Sequence, residues 1–206
     1  MIDELHYKKI LTSAFKSHYL ESSDEWTNDP ELRSIPSLIQ GFLKIHQHPL
    51  NILDLGCGTG NDCEYFARLG NTVLGVDLYP HDYWDTVQSR YHATRFICDE
   101  FSQTSFNTTF DIILDNGCFH HQHPNTYEKY LQKIHTLLNS HGHFVLSTFK
   151  AHHNRMKTDP KGRLHKYFND DEINDLLTRS RFTIVHQIDI YRINKNDYYR
   201  LTFAKI

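Results

Sequence analysis

Three glycines at alternate positions are the residues of this sequence with the clearest chemical use. Gly56, Gly58 and Gly60 follow the apolar run Ile-Leu-Asp-Leu and precede a segment with a helical spacing of apolar residues. Glycine accepts the positive φ that a tight turn requires, and it leaves the backbone open to a ligand. The first turn of the following helix offers unpaired N–H groups and a partial positive charge. The stretch therefore predicts a strand, a turn and a helix that bind polar or anionic ligand groups.

The spacing of these glycines, together with a later carboxylate, narrows the class of ligand. A dinucleotide-binding turn has the spacing Gly-x-Gly-x-x-Gly, whereas here Asn61 occupies the third glycine position. Asp77 ends the next apolar run, where an acidic side chain can accept hydrogen bonds from two ribose hydroxyls. The pattern favours a nucleoside ligand, and the alternative is a glycine-rich turn that binds nothing.

Residues 54–60, Asp-Leu-Gly-Cys-Gly-Thr-Gly, resemble the first motif of class I S-adenosylmethionine-dependent methyltransferases. The resemblance runs from about Trp26 to the C-terminus. It implies that S-adenosylmethionine is the cofactor and S-adenosylhomocysteine its product. By this resemblance the cofactor contacts Asp54, Gly56, Cys57, Gly58, Gly60, Asp77 and Leu78. The resemblance also implies that Asp99, Glu100 and Phe101 surround the adenine, and that backbone groups near Asp115 and Asn116 contact the methionine part.

A histidine-rich loop follows the fourth predicted strand, at residues 116–124. The pattern Asp-x-Gly-x-Phe-His-His that leads into it resembles small-molecule methyltransferases related to the thiopurine and tellurite-resistance enzymes. Ligands of open α/β sheets bind outside the carboxyl ends of the strands, so the loop should border the reacting methyl group. His120 or His121 is therefore a candidate general base, because an imidazole titrates near working pH. The alternative is that both close the loop structurally, since methyl transfer depends mainly on positioning.

The same loop has the residue types of a metal site. Cys118, His120, His121 and His123 carry suitable ligand atoms. The spacing Cys-x-His-His-x-His matches no established ligand pattern, and adjacent histidines point apart in extended chain. We predict that the protein holds no metal.

Three residues are candidates for contact with the methyl acceptor. Cys118 lies in the histidine-rich loop. Trp26 lies in a polar N-terminal loop that often caps the cofactor in this family, and the alternative is that it packs a helix onto the sheet. Arg155 lies in the basic segment 150–166, which is predicted to be irregular. That segment would either bind an anionic group of the acceptor or form a solvated loop.

The elements that position these residues follow from the periodicity of the chain. Short apolar runs alternate with helical patterns, which predicts an α/β fold. Two closing strands at residues 182–190 and 198–206 have no helix between them. We therefore expect a Rossmann-like seven-stranded, mostly parallel sheet with an antiparallel last strand and helices on both faces. Residues 1–48, with helices over 5–19 and 37–46, would form an N-terminal helical lid, and 49–206 the methyltransferase domain, within one structural domain.

Composition limits the partners and the location of the protein. The net charge of -3 and pI of about 6.6 give no basic patch for nucleic acid. Four cysteines without a Cys-x-x-Cys pair indicate a reduced, cytoplasmic setting. The sequence has neither a long apolar segment nor a signal-peptide pattern, so we expect no membrane partner. The sequence carries no signal for an oligomeric state.

The predicted function is methyl transfer to a small molecule with an O-, S- or N-nucleophile. The sequence has no Asn-Pro-Pro-Tyr, Asp-Pro-Pro-Tyr or Pro-Cys after the fourth predicted strand and no acid pair after the fifth. Those patterns belong to methyltransferases of nucleic acids, glutamine and catechols. Two alternatives stay open: a protein or RNA methyltransferase, and a non-catalytic S-adenosylmethionine-binding regulatory protein.

Overall fold

The computed structural model describes residues 3–45 and 49–206. Its helices are α1 (Glu4–Leu20), α2 (Pro30–Leu43), α3 (Asn61–Arg68), α4 (Tyr83–Arg90), α5 (Tyr127–Leu137) and α6 (Asp170–Arg179). Its strands are β1 (Asn51–Leu55), β2 (Thr72–Asp77), β3 (Thr94–Cys98), β4 (Phe110–Asn116), β5 (Leu138–Lys150), β6 (Arg155–Thr158), β7 (Leu164–Phe168), β8 (Thr183–Arg192) and β9 (Asp197–Lys205). Two short 3₁₀ helices, Phe119–His121 and Pro124–Thr126, lie between β4 and α5.

The nine strands found within the described residues form one sheet. Five of them are parallel, in the order β3-β2-β1-β4-β5. β9 pairs antiparallel with β5, and β8 pairs antiparallel with β9. These seven strands confirm the predicted sheet and its antiparallel last strand. The strand order reverses between β1 and β4, which is where open α/β sheets form their ligand crevice.

A hairpin adds two strands to the predicted seven. β7 runs parallel to the end of β5, and β6 pairs antiparallel with β7. The prediction of an irregular segment over 150–166 was wrong for the residues of this hairpin. Every residue of β6 is exposed, so no alternation of apolar and polar residues marks the strand in the sequence.

Helices pack on both faces of the sheet, as predicted. On one face Leu131 of α5 and Leu177 of α6 are fully buried against it. On the other face Ile39 of α2 and Phe66 of α3 are fully buried. Successive residues of β1 contribute to opposite cores, because side chains alternate between the faces of a strand. The carboxyl ends of the central strands are thereby held between two cores.

The two N-terminal helices begin at capping aspartates. Asp3 accepts from the N–H of His6 at the start of α1, and Asp29 accepts from the N–H of Leu32 at the start of α2. α2 begins at Pro30, so the predicted helix over 37–46 was wrong at its N-terminal end. Asp29 and Pro30 form a helix-start signal. The signal was not recognised because it lies within a polar stretch that was interpreted as a loop. The predicted end of that helix at 46, the domain boundary at 48 and residues 1–2 lie outside the described residues.

Candidate active site

The turn after β1 forms the floor of the site. Gly56, Gly58 and Gly60 have φ values of 70°, 52° and 89°, in the left-handed region that side chains disfavour. Space is also limiting, because a Cβ on Gly56 would lie 2.6 Å from Cβ of Cys118. A Cβ on Gly60 would lie 2.9 Å from the ring of Phe96. α3 begins directly after the turn, so strand, turn and helix are as predicted.

Asp77 ends β2 beside this turn. One carboxylate oxygen accepts from the N–H of Gly58 at 2.8 Å, and the other from the N–H of Tyr79 at 3.0 Å. Each oxygen keeps a lone pair for one further donor. Burial raises the pKa of Asp77 to about 6. The geometry suits a diol whose two hydroxyls donate to one carboxylate.

Two cavities meet above the turn, with volumes of about 390 and 350 Å³. Both are lined by Leu11, Gly56, Asp77, Leu78, Cys118 and Gln122. Of the other predicted cofactor residues, the first cavity adds Asp54, Cys57, Gly58 and Asn116, and the second adds Asp99, Glu100 and Phe101. The structure therefore brings residues from four separate strands to one continuous cleft. Gly60 lies behind the cleft, against Phe96 and Trp84.

The second cavity lies between the end of β3 and α1. The Asp99 carboxylate accepts from the N–H of Glu100 at 2.7 Å. Glu100 pairs with Lys8 of α1 at 3.0 Å. Phe101 is buried, with its ring centroid 4.9 Å from that of Tyr130. The three residues predicted to surround the adenine are thus gathered at one place.

A buried polar network lies at the other end of the cleft. Asp62 accepts from Nη1 of Arg33 and from Nδ2 of Asn116, both at 2.7 Å. Among the described residues, Nε of Arg33 and Oδ1 of Asn116 have no hydrogen-bond partner. Burial raises the pKa of Asp54 and of Asp62. A guanidinium donor beside amide and carboxyl acceptors suits the carboxylate and ammonium of an amino acid.

Asp115 lies below this cleft and shapes the loop after β4. Its carboxylate accepts from the N–H groups of Cys118 and Phe119 at 2.8 and 2.9 Å, and from the hydroxyl of Tyr130 at 2.6 Å. Burial raises the pKa of Asp115 to about 6. The side chain is thus engaged within the fold, which leaves the backbone for the contact predicted here.

Beyond the turn the first cavity widens into an aromatic chamber. We use this name for the part lined by Phe15, Trp26, His120, His121, Phe149, Arg163, Arg192 and Tyr199. The ring of Phe149 stacks on that of Tyr199 at 5.4 Å. Trp26 lines the chamber and also packs edge-on against Phe15 of α1 at 5.4 Å. Its contact with the methyl acceptor therefore stays a prediction.

Arg155 is not brought to the site. It is exposed on β6, with its guanidinium 4.0 Å from the ring centroid of Tyr167 and outside both cavities. Arg163, and not Arg155, is the arginine of this segment that lines the chamber. Nε of Arg163 donates to Asp159 at 3.0 Å, and the guanidinium lies 4.7 Å from the ring centroid of Trp26.

Arg192 brings a second guanidinium to the chamber from the end of β8. Its Nη2 lies 3.2 Å from Asp29, and its Nη1 lies 3.0 Å from Asp197. The guanidinium carbon is 4.4 Å from the ring centroid of Tyr199. The two arginines are each matched by carboxylates, so the chamber holds fixed donors without a large excess of charge.

His120 and His121 lie side by side in the chamber. Their Nε2 atoms are 3.1 Å apart, and Nδ1 of His121 is 2.6 Å from the carbonyl oxygen of Leu164. The ring of His120 lies 4.0 Å from that of Phe149. Burial holds the pKa of each histidine well below its usual range. Both are therefore neutral at working pH.

His123 diverges from the other two histidines and lines the second cavity. Its Nδ1 accepts from the N–H of Asn125 at 3.3 Å. Across residues 3–45 and 49–206, no group of three or more His, Cys, Asp or Glu side chains is arranged to hold a metal ion. In the same residues no helix is long and apolar enough to cross a membrane. Cys57, Cys63, Cys98 and Cys118 are free thiols.

Sequence reasoning missed three arginines of the cleft: Arg33, Arg163 and Arg192. They come from α2, from the turn before β7 and from the end of β8, all remote in sequence from the glycine turn. No local motif marks any of them. Two clues were usable: the start signal at Asp29-Pro30 places Arg33 in the first turn of a helix, and the basic segment 150–166 contains Arg163.

Comparison with known proteins defines the class of this protein. Residues 26–187 match the sequence model of the methyltransferase-domain family. The structure of Burkholderia thailandensis 1,6-didemethyltoxoflavin-N1-methyltransferase, bound to 1,6-didemethyltoxoflavin and S-adenosylhomocysteine, superposes with a TM-score of 0.94. That protein is 32% identical, over 100% of this chain and 91% of its own.

Two further proteins extend the comparison. An uncharacterised methyltransferase of Schizosaccharomyces pombe is 29% identical over 110 residues, which are 52% of this chain and 74% of that protein. The glycopeptide N-methyltransferase MtfA, complexed with S-adenosylmethionine, has a TM-score of 0.62 at 13% identity, over 83% of this chain and 86% of its own. The last likeness concerns the fold alone.

The fold and the cleft are those of a class I S-adenosylmethionine-dependent methyltransferase. The chain belongs to the methyltransferase-domain family, and S-adenosylmethionine is its cofactor. The residues present fit this cofactor on their own geometry. Asp77 keeps free lone pairs, a Cβ on Gly56 would meet Cys118, and within the described residues Oδ1 of Asn116 is buried without a partner.

Proposed function

We propose that this protein transfers the methyl group of S-adenosylmethionine to a nitrogen of a small heterocyclic molecule. The support is the 32% identity and full-length superposition with an enzyme that, by its name, methylates N1 of 1,6-didemethyltoxoflavin. Identity at this level supports the class of acceptor and leaves the particular compound open to experiment.

The aromatic chamber is the observation that carries this proposal. It continues the cofactor cleft at Gly56 and Cys118, so an acceptor in it would lie beside the cofactor. Trp26, Phe149 and Tyr199 line it with aromatic surface against which a flat heterocycle can pack. The first cavity as a whole, which joins this chamber to the methionine end of the cofactor cleft, has a volume of about 390 Å³, within the usual range for small-ligand sites.

Within this proposal the predicted cofactor residues divide by position. Asp77 and Leu78 would hold the ribose, and Asp99, Glu100 and Phe101 the adenine. The glycine turn, with Asp54, Cys57 and the backbone at Asp115 and Asn116, would hold the methionine part. We add Arg33 to this last group, because its guanidinium lines the same end of the cleft.

The chain's own residues would act chiefly by positioning. Bound S-adenosylmethionine supplies an electrophilic methyl group, and such a displacement needs the two reactants held in line. Cys118 lies where the two cavities meet, and Trp26 and Phe149 exclude water from the chamber. His120 and His121 remain the predicted catalytic residues; both are neutral, and the contact between their Nε2 atoms leaves one ring nitrogen of the pair to accept a proton or a hydrogen bond.

The rival functions have less support. A protein or RNA substrate would need a wide or basic surface, whereas the net charge is -3 and the chamber is roofed by α1 and Trp26. A purely regulatory cofactor-binding protein would have no use for a second, aromatic compartment with buried arginines. We place both below the small-molecule function.

The experiment is a methyl-transfer assay in which S-adenosylhomocysteine release is followed with three acceptor pools. The pools are small nitrogen heterocycles, folded proteins and RNA. We expect turnover with the first pool and a product heavier by one methyl group in mass spectra. Turnover confined to the protein or RNA pool would overturn the proposal, as would binding of the cofactor without turnover on any pool.

A further inference from the structure

The hydrogen bonds of the two chamber histidines have one consistent direction. A carbonyl oxygen only accepts, so Nδ1 of His121, 2.6 Å from the oxygen of Leu164, carries a hydrogen. Neutral His121 then has a bare Nε2, which must accept from Nε2–H of His120 at 3.1 Å. Neutral His120 is left with a bare Nδ1. The chain of bonds therefore fixes the tautomer of both rings.

The neutral state of this pair is set by its surroundings. Burial, then the nearby charges of His165, Arg163 and Arg192, holds the pKa of His120 well below its usual range. Burial, then the neighbouring His120, Arg163 and His165, likewise holds the pKa of His121 well below its usual range. A charged imidazole would have two N–H groups, and the 3.1 Å contact would then require one ring to stay neutral.

The bare Nδ1 of His120 is an unused hydrogen-bond acceptor. No residue of the described chain pairs with it, although the residue is 2% exposed. Buried polar atoms are nearly always paired in folded proteins, so this one indicates a ligand. His120 lines the aromatic chamber, which makes a molecule in that chamber the available partner.

Arg163 provides an unused donor in the same chamber. Nη1 of Arg163 is buried and lacks a partner within residues 3–45 and 49–206. The rest of the guanidinium is fixed, by Asp159 at Nε and by the rings of Phe15 and Trp26 at 4.9 and 4.7 Å. Arg163 and His120 both line the first cavity, so the unused donor and the unused acceptor belong to one compartment.

We propose that the methyl acceptor carries a lactam edge, a ring N–H beside a carbonyl oxygen, which donates to Nδ1 of His120 and accepts from Nη1 of Arg163. This rests on the proposed function and adds the class of heterocycle to it. His121 is a positioning residue, because it acts by holding His120 in the tautomer that can accept. A heterocycle whose lactam nitrogens are already substituted keeps a carbonyl for Arg163 but leaves Nδ1 of His120 unpaired or blocked.

The first arm of the test reads the tautomers and needs no acceptor. Nitrogen-15 spectra of histidine-labelled protein saturated with S-adenosylhomocysteine, assigned with His120→Gln and His121→Gln, report which ring nitrogen carries hydrogen. We expect Nε2–H for His120 and Nδ1–H for His121. Nδ1–H at His120, or a doubly protonated ring, overturns the inference whatever the protein methylates.

The second arm measures binding of a matched pair of probes to the same cofactor-product complex. Lumazine has lactam N–H groups, and 1,3-dimethyllumazine keeps the carbonyls and loses those N–H groups. We expect the dimethyl compound to bind about tenfold or more weakly, because it leaves a buried acceptor unpaired. Equal binding of the two, or binding of neither, overturns the lactam assignment.

Variants link this preference to the two residues. Arg163→Met should weaken lumazine binding about tenfold, while Arg155→Met, an arginine outside the cavities, should leave it unchanged. His121→Phe should reduce the preference for lumazine over its dimethyl derivative, and exposed His141→Gln should not. Turnover of other small heterocycles with no such preference would overturn this inference and leave the proposed function standing. Absence of turnover on every small molecule would overturn the proposed function itself.

Discussion

At the scale of single residues, Asp77 is expected to contribute most to cofactor affinity. Asp77→Asn removes the charge from two hydrogen bonds to ribose hydroxyls, which we expect to cost about 1.5–3 kcal/mol, roughly ten- to hundredfold in Kd. Calorimetric titration with S-adenosylhomocysteine measures this. Asp85→Asn, at an exposed position of α4, is the matched control, and equal affinity in the two variants would contradict the ribose assignment.

The same carboxylate makes cofactor binding depend on pH. Burial raises the pKa of Asp77 to about 6, and the ionised form is the one that accepts from both hydroxyls. Affinity for S-adenosylhomocysteine should therefore be full above that pKa and fall as the pH drops through about 6. Titrations between pH 5 and about pH 8 test this. The Asp77→Asn variant should give a flatter profile, and a wild-type affinity that does not change over this range would count against the assignment.

Arg33 permits a test of the methionine end of the cleft. If its guanidinium binds the carboxylate of the cofactor, Arg33→Gln should weaken S-adenosylhomocysteine binding about tenfold or more. The affinity for 5′-methylthioadenosine, which lacks the amino-acid group, should stay the same. Arg68→Gln, on the exposed side of α3, controls for lost surface charge. Equal losses for both ligands would instead indicate a structural role for Arg33.

At the scale of elements, a Gly→Ala substitution should have opposite effects on the free energy of unfolding in the glycine turn and in α2. Gly56→Ala places a Cβ at φ 70° and 2.6 Å from Cys118, so it should lower the free energy of unfolding by about 1–3 kcal/mol and impair cofactor binding. Gly41 of α2 has open space around it among the described residues. Gly41→Ala should therefore raise that free energy by about 0.5–1 kcal/mol.

Urea denaturation of both glycine variants, with and without S-adenosylhomocysteine, measures these changes. The ligand should stabilise Gly41→Ala as much as the wild type and Gly56→Ala much less. An unaffected Gly56→Ala protein would show that the turn tolerates a side chain. In that case the backbone of the glycine turn would not contact the ligand as closely as we infer.

The elements that could be predicted from the sequence are those whose signals are local. β1, the glycine turn and α3 form one uninterrupted pattern, and Asp77 closes the next strand in the same way. β6 escaped prediction because all of its residues are exposed, and the part of α2 before residue 37 escaped it because the helix cap lies in a polar loop. The sequence therefore predicted the cofactor half of the cleft better than the acceptor half.

At the scale of the whole molecule, the acceptor half depends on contacts between distant parts of the chain. Arg192 reaches the chamber because β9 returns beside β5 and carries β8 with it. There Nη2 of Arg192 meets Asp29, at the start of α2, at 3.2 Å. No periodicity in a single sequence records such a meeting, so the sequence cannot distinguish Arg163 from Arg155 within the basic segment and gives no sign of Arg192.

The N-terminal helix joins the two halves of the cleft. Leu11 of α1 lines both cavities, and the hydroxyl of Tyr7 donates to the carbonyl of His121 at 2.6 Å. Lys161 near the hairpin pairs with Glu21 beyond the end of α1. These contacts agree with the predicted helical lid, which remains a prediction about how the protein takes up its ligands.

The measurement that most directly tests the account is a calorimetric titration of the purified protein with S-adenosylhomocysteine, run beside NAD. The glycine spacing, Asp77 and the two joined cavities predict micromolar-range binding of the first and no binding of the second. Such a result would place a nucleoside with an amino-acid tail in the cleft. Binding of NAD, or failure to bind S-adenosylhomocysteine, would contradict the assignment of every site residue described above.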